Sequence, residues 1–136
     1  MLAEDLIFQV NEDNDDGTTP MVPHAYRRFD KIDNRSFYIT PTHSAEARDM
    51  LTFHRSLPKT NGNFRGVKKS TMKFTRDVIV LGADGISNIT AQEIISVNFS
   101  SPVGMTEADM KIRRMTVIAA VADDDVMSAF TYVQEV

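Results

Sequence analysis

Residues 67–80, VKKSTMKFTRDVIV, alternate so regularly that the segment has two chemically different sides. Side chains on a β-strand point in turn to opposite faces of its sheet. Lys69, Thr71, Lys73 and Thr75 therefore share one side, and Met72, Phe74, Val78 and Val80 the other. A helix would scatter both sets around its axis. A strand of this length with one apolar and one polar side belongs in an antiparallel sheet that is covered on one face only. Two neighbouring segments divide the same way. In 90–101, Ile95, Val97 and Phe99 oppose Ser96, Asn98 and Ser100; in 51–58, Leu51, Phe53 and Leu57 oppose Thr52, His54 and Ser56.

The reversals between these segments are written in turn residues. Thr60-Asn61-Gly62-Asn63 lies between the runs 51–58 and 67–81, and Asn-Gly flanked by strand-like runs signals a hairpin. Gly82-Ala83-Asp84-Gly85 marks a second reversal, so three neighbouring antiparallel strands are expected. Upstream, short β-type runs at 6–10, 25–29 and 36–40 are punctuated by Pro20, Pro23 and Pro41, and the turn-rich acidic cluster 11–17 follows the first of them. Residues 42–49 lack strand character and read as a connection, with room for one helical turn.

At Thr106 the period changes. Thr106-Glu107-Ala108-Asp109 has the form of a capping box with Asp in the Glu position, and Ala108, Ile112, Met115, Ala119 and Ala122 then recur at helical spacing. This predicts a helix over 106–122. Asp123, Asp124 and Asp125 suit the positive end of a following helix dipole, and Val126, Phe130 and Val133 form that helix's apolar stripe. Strands first and helices last give an α+β class: an antiparallel sheet, made of an N-terminal hairpin plus about five further meander strands, with two C-terminal α-helices on one face. One domain over 1–136 is expected, its β region about 5–101 and its two-helix region about 106–135. The apolar strand sides would bury beneath the helices, and the polar sides would form a continuous exposed patch. A second apolar line on the first helix, Met110, Val117 and Val121, lies half a turn from the first. Either another subunit or the chain's own second helix can cover it.

Charge is distributed as unevenly as polarity. Between residues 50 and 76 there are seven basic residues and no acidic one, leaving eight basic against nineteen acidic residues in the rest of a chain whose net charge is −4. A basic face on an acidic protein attracts phosphate locally. The Lys, Thr, Ser, Asn and His of the polar patch suit single-stranded or looped RNA. A merely solvated sheet face would show the same alternation. Cysteine is absent, which excludes disulfides and thiol nucleophiles, and no segment has the roughly eighteen consecutive apolar residues of a membrane helix or the form of a secretory leader. A soluble protein is expected. His24, His43 and His54 lack metal-ligand spacing, and no catalytic triad or phosphate-binding glycine loop is present. Glu12, Asn14, Asp16 and Gly17 imitate the start of a calcium loop, but Pro23 stands where its bidentate glutamate is required. No enzyme activity, metal or cofactor is expected.

The stretches LPKTNGNFRGVKKSTMKFTRDV (57–78) and SVNFSSPVGMTEADM (96–110) resemble the coat proteins of single-stranded RNA bacteriophages. The resemblance covers the C-terminal two thirds and continues through the acidic break before Val126, whereas residues 1–49 match in layout alone. It implies an intertwined homodimer with a ten-stranded sheet facing the capsid interior, helices outside, and dimers assembling into an icosahedral shell, usually of T=3 type. It also implies genomic RNA against the sheet, and an operator hairpin whose binding represses replicase translation. Carried over by strand position, the RNA-facing residues are Thr52, His54, Ser56, Lys69, Thr71, Lys73, Thr75, Ser96 and Asn98. The loop 82–88 resembles the one that gathers around symmetry axes, while the connection 59–66 is longer than in the best-known members. The implied location is the virion, assembled in the bacterial cytoplasm, with no membrane partner. A non-viral dimeric RNA-binding sheet module is the alternative, and a shell that holds RNA by charge alone is a third reading.

Overall fold

The computed structural model describes residues 2–12 and 21–133. Six strands, β1 (Asp5–Val10), β2 (Val22–Ile32), β3 (Arg35–Ile39), β4 (Asp49–Ser56), β5 (Val67–Leu81) and β6 (Asn88–Pro102), form one sheet in chain order. Two helices follow, α1 (Glu107–Ala122) and α2 (Asp124–Met127), and a π-helical run over Ser128–Val133 continues the second. The α+β class and the order of its parts are those expected. Two compact units share the chain: Met1–Leu57 with Lys68–Ser100, and Pro58–Val67 with Ser101–Val136.

The strand count reflects how β2 is used. Its first half pairs with β1, Asp5 opposite Arg27 through Val10 opposite Val22, and its second half pairs with β3. The register shifts between Arg28 and Asp30. A bulge bends its strand and increases the local twist. The same strand is thus one arm of the N-terminal hairpin and the first member of a five-strand meander.

That bend decides what covers the apolar face. Tyr26 on β2 and Phe74 on β5 are three strands apart, roughly 14 Å in a flat sheet, yet their ring centroids lie 6.1 Å apart in an edge-on contact. The hairpin therefore folds over the sheet. Phe8 extends the stack to Tyr26 at 5.8 Å, and the Tyr38 hydroxyl donates to the Ala3 carbonyl at 2.6 Å. Beneath lie Tyr38 and Leu51, directly opposite each other on β3 and β4 and both fully buried. The alternation assigned the apolar sides to the helices; for Leu51 and Phe74 the cover is instead the chain's own hairpin, and Phe53 packs edge-on against Tyr38 at 5.6 Å. Farther along the sheet Val80 is 40%, Ile95 53% and Phe99 39% exposed, so their expected burial is not achieved within a single chain.

The second unit starts with the turn signalled by Asn61-Gly62. Asn61 and Phe64 exchange both backbone hydrogen bonds, at 2.8 and 3.0 Å, with Gly62 at φ +60°. This turn sits on an excursion between β4 and β5 instead of joining their ends. Gly66 closes it at φ +94°, packed so tightly that a Cβ there would lie 2.5 Å from the Lys59 carbonyl oxygen. Its own carbonyl accepts from the Val103 amide at 2.9 Å.

The helix signals were read correctly. Thr106 caps α1, its hydroxyl accepting from the Asp109 amide at 3.2 Å and donating to the Asp109 carboxylate at 2.9 Å. Asp123 caps α2 through the Val126 amide at 3.1 Å. No residue of α1 is buried: Ile112, Met115 and Val121 each expose more than half of their surface. Val117 and Val121 on the second apolar line remain open, so the chain's own second helix does not cover them. The connection 42–49 contains turns and bends with no helical turn. The side chain of Val133 and the acidic turn residues 13–17 lie outside the described residues.

Candidate nucleic-acid interface

The sheet has a second face, and the register fixes its membership. Thr52 is opposite Lys73, His54 opposite Thr71, and Ser56 opposite Lys69 across β4 and β5. Directly opposed side chains of an antiparallel pair share a face with their Cβ atoms about 4.5–5.5 Å apart. The Thr71 hydroxyl donates to the Asn98 carboxamide oxygen at 2.8 Å, which brings β6 onto the same face. Ser96, two residues away on β6, follows by alternation, as does Thr75 on β5. All nine residues singled out from the sequence thus fall on one side of the sheet.

Five of them, Thr52, His54, Thr71, Lys73 and Thr75, line a shallow concavity of about 330 Å³ together with Arg35 and Phe37. Ser56, Lys69, Ser96 and Asn98 lie outside its lining. Arg35 and Phe37 come from β3, where they pair with His54 and Thr52. The sequence reading did not select them. Their signal was the alternation of Arg35, Phe37 and Ile39 against Ser36 and Tyr38, but both sides of that strand carry an aromatic ring and only the register assigns them to faces.

Electrostatically the concavity is cationic. Lys69, Lys73 and Arg35 enter none of the ion pairs among the described residues. Asp77, farther along β5 on this face, is held by Arg48: the backbone amide donates at 2.9 Å and the guanidinium Nε at 3.2 Å. Those bonds keep its carboxyl below the ordinary aspartate range. Arg76 points to the opposite face, where it meets Glu93 at 2.7 Å, and Lys68 shares that side by alternation. Neither contributes to the cationic ladder.

Such a face offers cations for phosphate, hydroxyl and amide groups for base edges, and in Phe37 one aromatic surface for stacking. No group of three or more His, Asp or Glu among the described residues is placed to hold a metal ion, and no described helix is long and apolar enough to cross a membrane.

No family model matches the chain, and no curated protein matches it. Solved structures do. The virus-like particle of bacteriophage AVE019 aligns with a TM-score of 0.72 at 20% identity, over 95% of this chain and 94% of that one. The virus-like particle of Beihai levi-like virus 32 aligns at 0.67 and 22% identity over 83% and 88% of the two chains. That of bacteriophage ESE058 aligns at 0.69 and 13% identity over 100% and 99%. At such low identity the likeness speaks for the backbone arrangement, and it spans the sheet and the helices together. This chain has the fold found in the virus-like particles of levi-like viruses and bacteriophages.

Proposed function

We propose that this chain is the coat protein of a single-stranded RNA phage, which dimerises, assembles into an icosahedral shell and packages genomic RNA against the face built from β3 to β6. The observation that carries the RNA assignment is the ladder of Thr52–Lys73, His54–Thr71 and Ser56–Lys69 pairs, cationic and flanked by a concavity with Phe37 in its wall. An unstacked base fits such a recess, with its ring against Phe37 and its edges within reach of Thr and His side chains, while Lys69, Lys73 and Arg35 meet phosphates. In this reading the same recess recognises an operator hairpin and so represses replicase translation. The protein works in the virion, having assembled in the host cytoplasm.

Assembly is supported by what one chain leaves uncovered. β6 is a fifteen-residue strand at the edge of the sheet, and a long unprotected edge is a template for another strand. Pairing of two such edges gives a two-fold dimer with a continuous sheet. The bare helix α1 and the exposed Ile95 and Phe99 then acquire partners.

Recombinant chain mixed with single-stranded RNA tests the proposal. Particles whose RNA resists nuclease are expected; an RNA-binding dimer that never forms particles would favour the non-viral module. Comparison of a cognate genome hairpin with a scrambled one at physiological salt tests the operator role, and equal affinities would leave packaging by charge alone.

A further inference from the structure

Asparagine precedes glycine once in the chain, at Asn61-Gly62; every other asparagine precedes a residue with a side chain. That pair stands at the corner of the excursion between β4 and β5. Asn61 and Phe64 hold each other through both backbone hydrogen bonds, so the reversal passes through Gly62 and Asn63 alone. Gly62 takes φ +60° and Asn63 does not share its positive φ, the pattern of a type II′ turn with glycine at the first central position. All four residues of the turn are exposed.

The two asparagines of this turn differ in the amide that follows them. After Asn63, the Phe64 N–H is donated to the Asn61 carbonyl at 3.0 Å and carries a bulky side chain beside it. After Asn61, the Gly62 N–H enters no backbone hydrogen bond among the described residues, and the place where its Cβ would stand is empty out to 4 Å. Glycine brings no Cβ to crowd its own nitrogen. One turn thus holds a free, unhindered amide after one asparagine and an engaged, hindered amide after the other.

We infer that Asn61 is a self-modification site, at which the folded chain converts its own asparagine to aspartate and isoaspartate. The Gly62 nitrogen, giving up its proton to solvent base, attacks Cγ of Asn61. A new N–Cγ bond closes a succinimide ring, and the side-chain nitrogen takes a proton and leaves as ammonia. Water then adds to one of the two ring carbonyls and breaks that carbonyl's bond to the Gly62 nitrogen. Opening at Cγ leaves an aspartate in the original main chain; opening at the α-carbonyl leaves an isoaspartate, with the main chain running through Cγ. One water enters and one ammonia leaves, with no oxidation or reduction. Either product puts a carboxylate into residues 50–76, where every charged side chain is otherwise basic. Isoaspartate also removes from the main chain the Asn61 carbonyl that accepts the Phe64 amide. The closure at Gly66, where a Cβ would meet the Lys59 carbonyl oxygen at 2.5 Å, has little room to absorb the added main-chain atom. Modification therefore charges the excursion and unpairs its turn. The reaction needs neither a second copy nor RNA.

Ageing the folded full chain in mildly alkaline buffer made with oxygen-18 water tests it, with acid digestion by pepsin, peptide mass spectrometry and an isoaspartyl methyltransferase to count isoaspartate. Asn61 is expected to gain one heavy oxygen, to yield isoaspartate as well as aspartate, and to react severalfold faster than Asn63 in the same turn. An Asn61 that stays intact, or reacts no faster than Asn63, overturns the proposal. Aspartate without isoaspartate overturns it too, because direct hydrolysis of the side-chain amide gives that result. A parallel sample in urea supplies the unfolded rate, and reaction confined to the unfolded chain overturns the claim that the native turn leaves the site open. Gly62→Ala adds a methyl group that meets nothing within 4 Å. It is expected to slow the reaction severalfold with the circular dichroism unchanged, and an unchanged rate overturns attack by the Gly62 nitrogen. Should that variant lose its fold, the comparison of Asn61 with Asn63 in the wild-type chain decides alone.

Discussion

In the proposed RNA interface Lys73 and Phe37 share one recess but act by different physics, and their substitution separates them. Lys73→Ala removes a phosphate cation, so RNA affinity should fall for every sequence and the slope of log affinity against log salt should shrink by about one ion. Phe37→Ala removes a stacking surface worth about 1–3 kcal/mol per base. It should weaken binding to a cognate hairpin while leaving the salt slope unchanged. Fluorescence titrations across a salt series measure both, and identical salt slopes for Lys73→Ala and wild type would assign the lysine to the wrong face. Asp84 supplies a pH-dependent counterpart on the loop between β5 and β6. Its carboxylate accepts the Ile86 amide at 3.0 Å and the Ser87 amide at 2.9 Å, and these bonds hold its pKa below the ordinary value. A depressed carboxylate pKa gives a contribution that is fully present above the unfolded value, near 3.9, and is lost as pH falls through the folded one. Protection factors at the Ile86 and Ser87 amides, taken relative to intrinsic exchange at each pH, should hold at neutral pH and fall only in acid, beneath the usual aspartate range.

At the scale of elements, two features carry structural demands that mutation can expose. Gly66 combines φ +94° with a backbone contact that a Cβ would violate, whereas Gly62 at φ +60° has open space around it. Gly66→Ala should therefore destabilise the chain by about 1–3 kcal/mol and by more than Gly62→Ala in urea unfolding. Leu51, fully buried beneath the hairpin, should cost about 2–5 kcal/mol on truncation to Ala. Much of this element level was legible in the sequence. Period-two alternation placed Lys69, Thr71, Lys73 and Thr75 on one face because side-chain direction on a strand is purely local. The Thr106 cap and the helix after it were legible for the same reason. Arg35 and Phe37 were missed because membership of a shared face depends on register, which is a pairing between distant segments. The hairpin's place over Leu51 and Phe74 was missed as well: an apolar side announces that it needs a cover but not which cover, and the bend at Arg28/Asp30 has no glycine to signal it.

The molecule as a whole is most informative in what it leaves open. Among the described residues Tyr38 and Leu51 are the only fully buried large side chains, while the apolar residues of α1 and β6 face solvent. Exposed apolar patches of this kind mark interaction surfaces, and an edge strand of fifteen residues adds unpaired backbone to them. In the proposed dimer a second copy of the chain covers both by two-fold symmetry. Solved structures that share this fold include virus-like particles, and the assembly proposed here extends from dimer to shell. Electron cryo-microscopy of the recombinant chain, with and without added single-stranded RNA, is the most direct test. Closed icosahedral shells built from dimers, with Lys69 and Lys73 on the inner wall beside RNA density, are predicted. Only monomers or small oligomers in the presence of RNA, or shells with that face turned outward, would contradict the account.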